Sequence, residues 1–426
     1  MNSTLHRGPR YIVQGGAVLR GDVPISGAKN HALAAMCASL LTEDEVILNN
    51  VPEISDARSL AQLLTNLGAG VEWTAPNTLR LVGGTVGKVE TPSELITENR
   101  ASFQVMGPLL ARLGRASSVP PGGDVIGQRP LDVHLGGFHY MGASIRREGE
   151  RYVVEAPEGG LRGARLFMDY PSVSGTQNVV MAAALARGHS TIVNAATEPE
   201  VQHLCHMLNQ MGGHIEGIGT QMLEVDGVER LHGATIDIMP DRIEAGTFAV
   251  AAAMTAGEVR LHGAPVEVMD ALWAKLRDAG ATVTIEGPAC ARIASDGHLR
   301  GVNFQALPYP GLATDLHAPL AAMLTQAHGV SIIHERVFDN RMLYVGELRK
   351  MGAEIVSTGS SAIVVGKAQL NGAHVRALDV RAGAAVLLAA LVAHGETTID
   401  DVSHLDRGYE KLADKLRGLG VAIERQ

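Results

Sequence analysis

Residues 244–287 read EAGTFAVAAAMTAGEVRLHGAPVEVMDALWAKLRDAGATVTIEG, and the fold is decided in that stretch. Its opening segment, EAGTFAVAAAMTAG, is apolar on nearly every face of a helix, so such a helix has no side to offer water and belongs in an interior. A short strand-like run, EVRLH, follows Gly257. The next segment, VEVMDALWAKLRDAGA, has the spacing of a half-buried helix, closes on Gly280 and gives way to the alternating TVTIEG. The order is therefore interior helix, strand, surface helix, strand.

Working outward, the same pattern recurs. A motif close to [L/M/A]-G-[A/G/V]-x-[V/I] stands at Gly68, Gly142, Gly212, Gly280, Gly352 and Gly420, at gaps of 74, 70, 68, 72 and 68 residues. Amphipathic stretches such as DARSLAQLLTNLGA, EPEVQHLCHMLNQMGG and RGYEKLADKLRGLGV precede it. Each repeat also has an all-round apolar helix: KNHALAAMCASLL, ASFQVMGPLLARLG, GTQNVVMAAALARG, EAGTFAVAAAMTAG, DLHAPLAAMLTQAHG and RAGAAVLLAALVAHG. Five of these six end in glycine, at Gly114, Gly188, Gly257, Gly329 and Gly395. The reading is six βαβαββ-like units. Their period exceeds that of the common solenoids, and six units of about 70 residues suit two closed three-unit domains better than an open array.

Composition narrows the function. The 426-residue chain is 46% hydrophobic and 19% charged, with a net charge of −9, so it can build more than one core and is not disordered. No basic tract is present to meet nucleic-acid phosphates, and no nucleic-acid partner is expected. Cys37, Cys205 and Cys290 are widely spaced and lack a C-x-x-C pair, which disfavours both a disulfide framework and a zinc site. They read as small buried hydrophobes. The longest apolar run, Ala382 to Ala393, is too short to span a membrane, and MNSTLHRGPRYIVQGG has no signal-like core. A soluble, cytoplasmic protein is expected.

The chemistry gathers at the starts of the interior helices. Lys29, Arg100, Arg242 and Arg381 open four of them, where the helix already carries partial positive charge; a cation there is unfavourable unless an anion joins it. A polyanionic ligand is the expectation, the alternative being that each cation pairs with a neighbouring carboxylate. Between Ser117 and Pro130, SSVPPGGDVIGQRP carries Asp124 and Arg129 in a loop suited to a lid, hinged at Pro120 to Gly123. Arg341 in VFDNRML and Arg407 in HLDRGYEK are two more cations at helix starts.

The segments GGAVLRGDVPISGAKNHALAAM, RASFQVMGPLLARLG, PGGDVIGQRPLDVHL, PDRIEAGTF, ATDLHAPL, VFDNRMLYVGELRKMGAEI, LDVRAGAAVLLAAL and HLDRGYEKLADKLRGLG together resemble the UDP-N-acetylglucosamine enolpyruvyl transferase (1-carboxyvinyltransferase) family, over essentially the whole chain. The resemblance implies an α/β fold, an inside-out α/β barrel of two domains with three βαβαββ repeats each and substrates in the cleft between them. One domain is expected from residues 1–20 and 240–426, completed by the N-terminal strand, and the other from residues 21–239, carrying the lid at 117–130. It implies transfer of the enolpyruvyl group of phosphoenolpyruvate to the 3-hydroxyl of UDP-N-acetylglucosamine with release of phosphate, the first committed step of peptidoglycan synthesis. No cofactor or metal is implied, and the oligomeric state is left open.

Matched by motif, Lys29 and Asn30 are site residues, Lys29 contacting phosphoenolpyruvate. Arg129, Arg341, Arg381 and Arg407 match the arginines that hold its phosphate and carboxylate, and Arg100 matches a binding residue. Asp315 matches the carboxylate beside the sugar hydroxyl, the candidate general base. Arg129, Pro130, Leu131, Asp132 and Val133, with Ser172, Val173, Ser174, Asp315 and Val337, match nucleotide-sugar contacts, and Asp379 matches a further active-site carboxylate. Asp124 departs from the cysteine that many members carry, to which the resemblance assigns proton donation and alkylation by fosfomycin. Resistance to that epoxide is the expectation, since a thiolate attacks it far more readily than a carboxylate does, while a carboxylic acid can still donate the proton. Ser174-Gly175, where Gly-Ala is commoner, and Val380 are smaller departures. The alternatives are a 5-enolpyruvylshikimate-3-phosphate synthase-like transferase, against which the S-K-S and N-A-G-T-A-x-R segments are missing, and a catalytically silent nucleotide-sugar-binding paralogue.

Overall fold

The computed structural model describes residues 8–98, 100–124, 127 and 131–426, and at Glu98 and Arg100 the backbone alone. The chain forms two compact units, one built from the segment up to Ser26 together with Pro240–Gln426, the other from Gly27–Asp124 and onward to Met239.

In the first of these, the interior helices Arg242–Met254, His317–Leu324 and Val380–Val392 pack on one another. Burial is complete from Ile243 to Met254, across His317–Leu324 and from Val380 to Leu391, as their unbroken apolar surface requires. Three four-stranded sheets lie around them. Each sheet turns one face inward: in Glu258–His262 the buried residues are Val259 and Leu261, while Glu258, Arg260 and His262 are exposed. The surface helices cover what remains of the core. Asp270–Asp278 buries Leu272, Trp273 and Leu276, and the indole of Trp273 donates to the Val266 carbonyl at 3.0 Å.

The second unit repeats this plan with Lys29–Ala38, Met106–Leu113 and Val173–Ala183 inside. Two of its sheets have four strands. The third, with Arg115–Ser118, Arg151–Glu155 and Ser144–Glu148, has three, its parallel edge reduced to a bridge between Glu90 and Ser117. Helices inside and sheets outside make each unit an inside-out α/β barrel. The six motif glycines all adopt left-handed φ, between 90° and 105°, as a helix that must turn into a strand demands. At the fourth interior helix, however, Ala256 and not Gly257 takes the left-handed turn. Gly257 is needed for a different reason, because a Cβ there would stand 2.3 Å from the Leu19 carbonyl oxygen.

Both units close by borrowing a strand. Tyr11–Gln14 lies antiparallel between Glu396–Asp400 and Ile423–Arg425, the place that the last strand of a repeat fills elsewhere. Thr235–Asp237, reached after the third repeat, pairs parallel with Glu45–Asn49 of the first. Arg20–Pro24 likewise pairs parallel with Glu258–His262. The boundary expected at residue 20 lies at Ser26 in the structure, because this strand forms the edge of a sheet in the same unit as Glu258–His262.

Candidate active site

The most heavily charged group of candidate residues lies in the unit that contains Pro240–Gln426. Asp315 sits in the one-turn helix Thr314–Leu316, directly before His317–Leu324. Its two carboxylate oxygens are divided between two arginines: Oδ1 accepts from Arg341 Nη2 at 2.8 Å, and Oδ2 accepts from Arg381 Nε at 3.0 Å and Nη2 at 2.8 Å. Both guanidinium side chains are only 4% exposed, and the Asp315 side chain is 24% exposed. Arg381 occupies the first turn of Val380–Val392 and lies over the Tyr409 ring at 5.3 Å; Arg341 lies over Phe338 at 5.4 Å. Burial acts against the Arg381 cation, but the Asp315 carboxylate outweighs it and holds the guanidinium above its ordinary value. Two buried guanidinium groups thus share the Asp315 carboxylate at the start of a helix, and an incoming anion can replace that carboxylate as their partner.

The neighbouring candidates have definite local roles. Asp379 is the N-cap of Val380–Val392, its Oδ1 accepting from the backbone N–H of Arg381 at 2.7 Å and of Ala382 at 2.9 Å. Asp241 caps Arg242–Met254 in the same way. Arg407 ends the short helix Ser403–Asp406, and Val337 follows the strand Gly329–Glu335, its N–H donating to Glu335 Oε1 at 2.7 Å.

In the other unit Lys29 opens its interior helix, and its Nζ bonds Asp56 at 3.1 Å; Asp56 is buried in the first turn of Ser55–Leu67. Asn30 is half-buried beside it. Asp124 is half-buried at the end of the irregular segment 119–124. Asp132–Tyr140 begins just after Leu131, with Asp132 Oδ1 accepting from the Val133 N–H at 2.9 Å. Ser172 caps Val173–Ala183, its Oγ accepting from Gly175 N at 3.2 Å. A Cβ on Gly175 would meet Val133 Cγ1 at 2.6 Å, so glycine is what lets this helix start approach the 131–133 segment. Arg129 and Pro130 lie outside the described residues, as does the side chain of Arg100.

Several residues that the sequence reading passed over complete these groups. His134 joins the two nucleotide-sugar candidate segments, with Nε2 3.4 Å from Ser174 Oγ and Nδ1 3.0 Å from Asn178 Nδ2. Asn178 in turn accepts from Gly107 N at 2.8 Å and donates to the Phe103 carbonyl at 3.2 Å. Asp56 is the partner that the alternative reading of Lys29 anticipated. Glu335 and His317 are buried beside Asp315's turn. Burial by itself pushes the Glu335 carboxyl up, but hydrogen bonds from His317, Thr314 and Val337 carry it below the usual carboxylate range. Burial also pushes His317 down, so its ring is neutral near pH 7. Cys37 and Cys205 are buried, and burial raises both thiols, Cys205 to about 12. Cys290 differs from the expectation in being half-buried, its Sγ 3.9 Å from His262 Nδ1. Among the described residues, no helix is long and apolar enough to cross a membrane.

Comparison with known proteins places this arrangement among enolpyruvyl-transferring folds. Residues 13–416 match the family model described as EPSP synthase (3-phosphoshikimate 1-carboxyvinyltransferase). The enolpyruvyl transferase NikO from Streptomyces tendae shares the fold with a TM-score of 0.90 at 24% identity, covering 99% of each chain. UDP-N-acetylglucosamine 1-carboxyvinyltransferase 1 of Caldanaerobacter subterraneus subsp. tengcongensis is 45% identical over 417 residues, 98% of this chain and 99% of that one. The UDP-N-acetylglucosamine 1-carboxyvinyltransferase of Hyphomonas neptunium is 46% identical over 420 residues, 98% of each. The chain belongs to the UDP-N-acetylglucosamine 1-carboxyvinyltransferase family.

Proposed function

We propose that the protein transfers the enolpyruvyl group of phosphoenolpyruvate to the 3-hydroxyl of UDP-N-acetylglucosamine and releases phosphate, the first committed step of peptidoglycan synthesis. The observation that carries this reading is Asp315 held between Arg341 and Arg381. Near-full-length relatives at 45–46% identity favour the nucleotide sugar as acceptor over shikimate 3-phosphate. Both substrates are charged solutes, and the reading places the enzyme in the cytoplasm.

The chemistry follows from the groups present. Arg341 and Arg381, with Arg407, Arg129 and Lys29, bind the carboxylate and phosphate of phosphoenolpyruvate. Once those anions engage the guanidiniums, the Asp315 carboxylate takes the proton of the sugar 3-hydroxyl, whose oxygen bonds to C2 of phosphoenolpyruvate. Asp124 gives a proton to C3, forming a tetrahedral phospho-ketal. The Asp124 carboxylate then takes back a proton from C3 as the C2–O bond to phosphate breaks, yielding the enolpyruvyl ether and free phosphate. Leu131, Asp132, Val133, Ser172, Val173, Ser174 and Val337, with Pro130, Arg100 and Asn30, hold the nucleotide sugar, and Asp379 fixes the helix start that presents Arg381. Asp124 in place of a thiol makes the enzyme resistant to fosfomycin, because Cys37, Cys205 and Cys290 lie elsewhere in the chain and burial raises all three thiols. Phosphate release that requires both substrates tests the reading; release with shikimate 3-phosphate, or none at all, would replace it with one of the two alternatives.

A further inference from the structure

Glu335 is a buried carboxylate with no part in the reaction just described, yet it gathers four donors. Its Oε2 accepts from Thr314 Oγ1 at 2.7 Å and from His317 Nδ1 at 3.0 Å. Its Oε1 accepts from the backbone N–H of Val337 at 2.7 Å and of Phe338 at 3.2 Å. The residue is 2% exposed, and His317 is fully buried, its Nε2 accepting from Tyr344 Oη at 3.0 Å. A carboxylate taken out of water is costly unless its lone pairs are filled, and here the filling partners are specific.

Thr314 and His317 stand on either side of Asp315 in the chain. Val337 and Phe338 open the loop that leads to Arg341, whose guanidinium bonds Asp315 and lies over the Phe338 ring. One carboxylate thus fixes both members of the Arg341–Asp315 pair, one through each oxygen. We propose that Glu335 is a positioning residue for Asp315, setting the turn that carries it and the loop that carries its arginine partner, with Thr314 and the His317–Tyr344 pair as its links. The inference rests on Asp315 serving as the base in the proposed reaction.

Glu335→Gln keeps the shape but replaces one acceptor oxygen by a donor, which then confronts either Thr314 and His317 or the Val337 and Phe338 amides. A misplacement of this kind costs about tenfold to a hundredfold in rate. The test is a double-mutant cycle on the full-length protein, reading kcat of phosphate release with phosphoenolpyruvate and UDP-N-acetylglucosamine for the starting protein, Glu335→Gln, Asp315→Ala and the double variant. If Glu335 acts through Asp315, its substitution costs roughly thirtyfold in the starting protein and less than about twofold once Asp315 is gone. Independent, multiplying losses would overturn the inference and leave the proposed function standing. A starting protein that releases no phosphate would overturn the function and the inference with it. Thr314 supplies a second series, which decides the matter should Glu335→Gln fail to fold. Thr314→Val should slow turnover about fivefold and Thr314→Ser should restore it, as expected for the loss and return of one charge-assisted hydrogen bond. Thr314→Val turning over at the starting rate would overturn the inference.

Discussion

Replacing Asp315 by alanine strips Arg341 and Arg381, whose side chains are 4% exposed in the starting protein, of the carboxylate they share. Three charge-assisted hydrogen bonds disappear, at 2.8, 2.8 and 3.0 Å. Removing one partner from a fully buried pair costs about 3–5 kcal/mol. The Asp315 side chain is a quarter exposed, so water can reach the vacated space, and the expected loss is smaller, about 2–3 kcal/mol. For a unit of this size that lowers the melting temperature by roughly 4–12 °C. The same change frees the arginines for an anionic ligand. Phosphoenolpyruvate at a hundred times its Kd adds about 2.7 kcal/mol to any state that binds it, and it should raise the melting point of Asp315→Ala by more than that of the starting protein. Calorimetric melts of both proteins, with and without phosphoenolpyruvate, measure both quantities. A variant that melts within a degree of the starting protein, or that gains less from the ligand, would refute the argument from shared charge.

Glu244 is buried and ion-paired with Lys415 at 2.7 Å, and burial nevertheless raises its carboxyl from 4.5 to about 7. The folded protein therefore keeps a proton there that the unfolded chain has lost; the resulting stability, on the order of 3 kcal/mol, is present below about pH 4.5 and disappears as the pH rises through about 7. Melts of Glu244→Gln from pH 5 to 8 should lack that slope, and an unchanged slope contradicts the assignment. His134→Ala should raise the KM for UDP-N-acetylglucosamine about tenfold with little effect on the KM for phosphoenolpyruvate, since it removes the tie between the 131–133 segment and Ser174; equal rises in both would place His134 elsewhere. Asp124→Asn should lose most activity, whereas Asp124→Cys should keep turnover and become inactivated by fosfomycin in a time-dependent way. Inactivation of the unsubstituted protein by the drug would remove the role given to Asp124.

The interior helices were legible because nothing in their sequences could face water: from Ile243 to Met254 and from Val380 to Leu391 every position is buried. The Gly280-type turns were legible because helix-to-strand reversals need a left-handed residue, and Ala256 is the instructive exception. Arg20–Pro24 escaped because an edge strand with one buried residue shows no alternation. The partners of the site escaped for a different reason. The contacts Lys29–Asp56, His134–Ser174 and His317–Glu335 span 27, 40 and 18 residues of chain, which local pattern does not reveal. Glu335 did leave one signal. Within Gly329–Glu335 it shares the inward face with Ser331 and Ile333, and a carboxylate on that face must have partners.

Enolpyruvyl transfer is decided by incubating the purified protein with phosphoenolpyruvate and either UDP-N-acetylglucosamine or shikimate 3-phosphate, and following phosphate release together with the mass of the acceptor. One phosphate should appear for each UDP-N-acetylglucosamine that gains an enolpyruvyl group, with no reaction when either substrate is withheld and none with shikimate 3-phosphate. Phosphate released with shikimate 3-phosphate, or a nucleotide sugar that is bound but returned unchanged, would contradict that transfer.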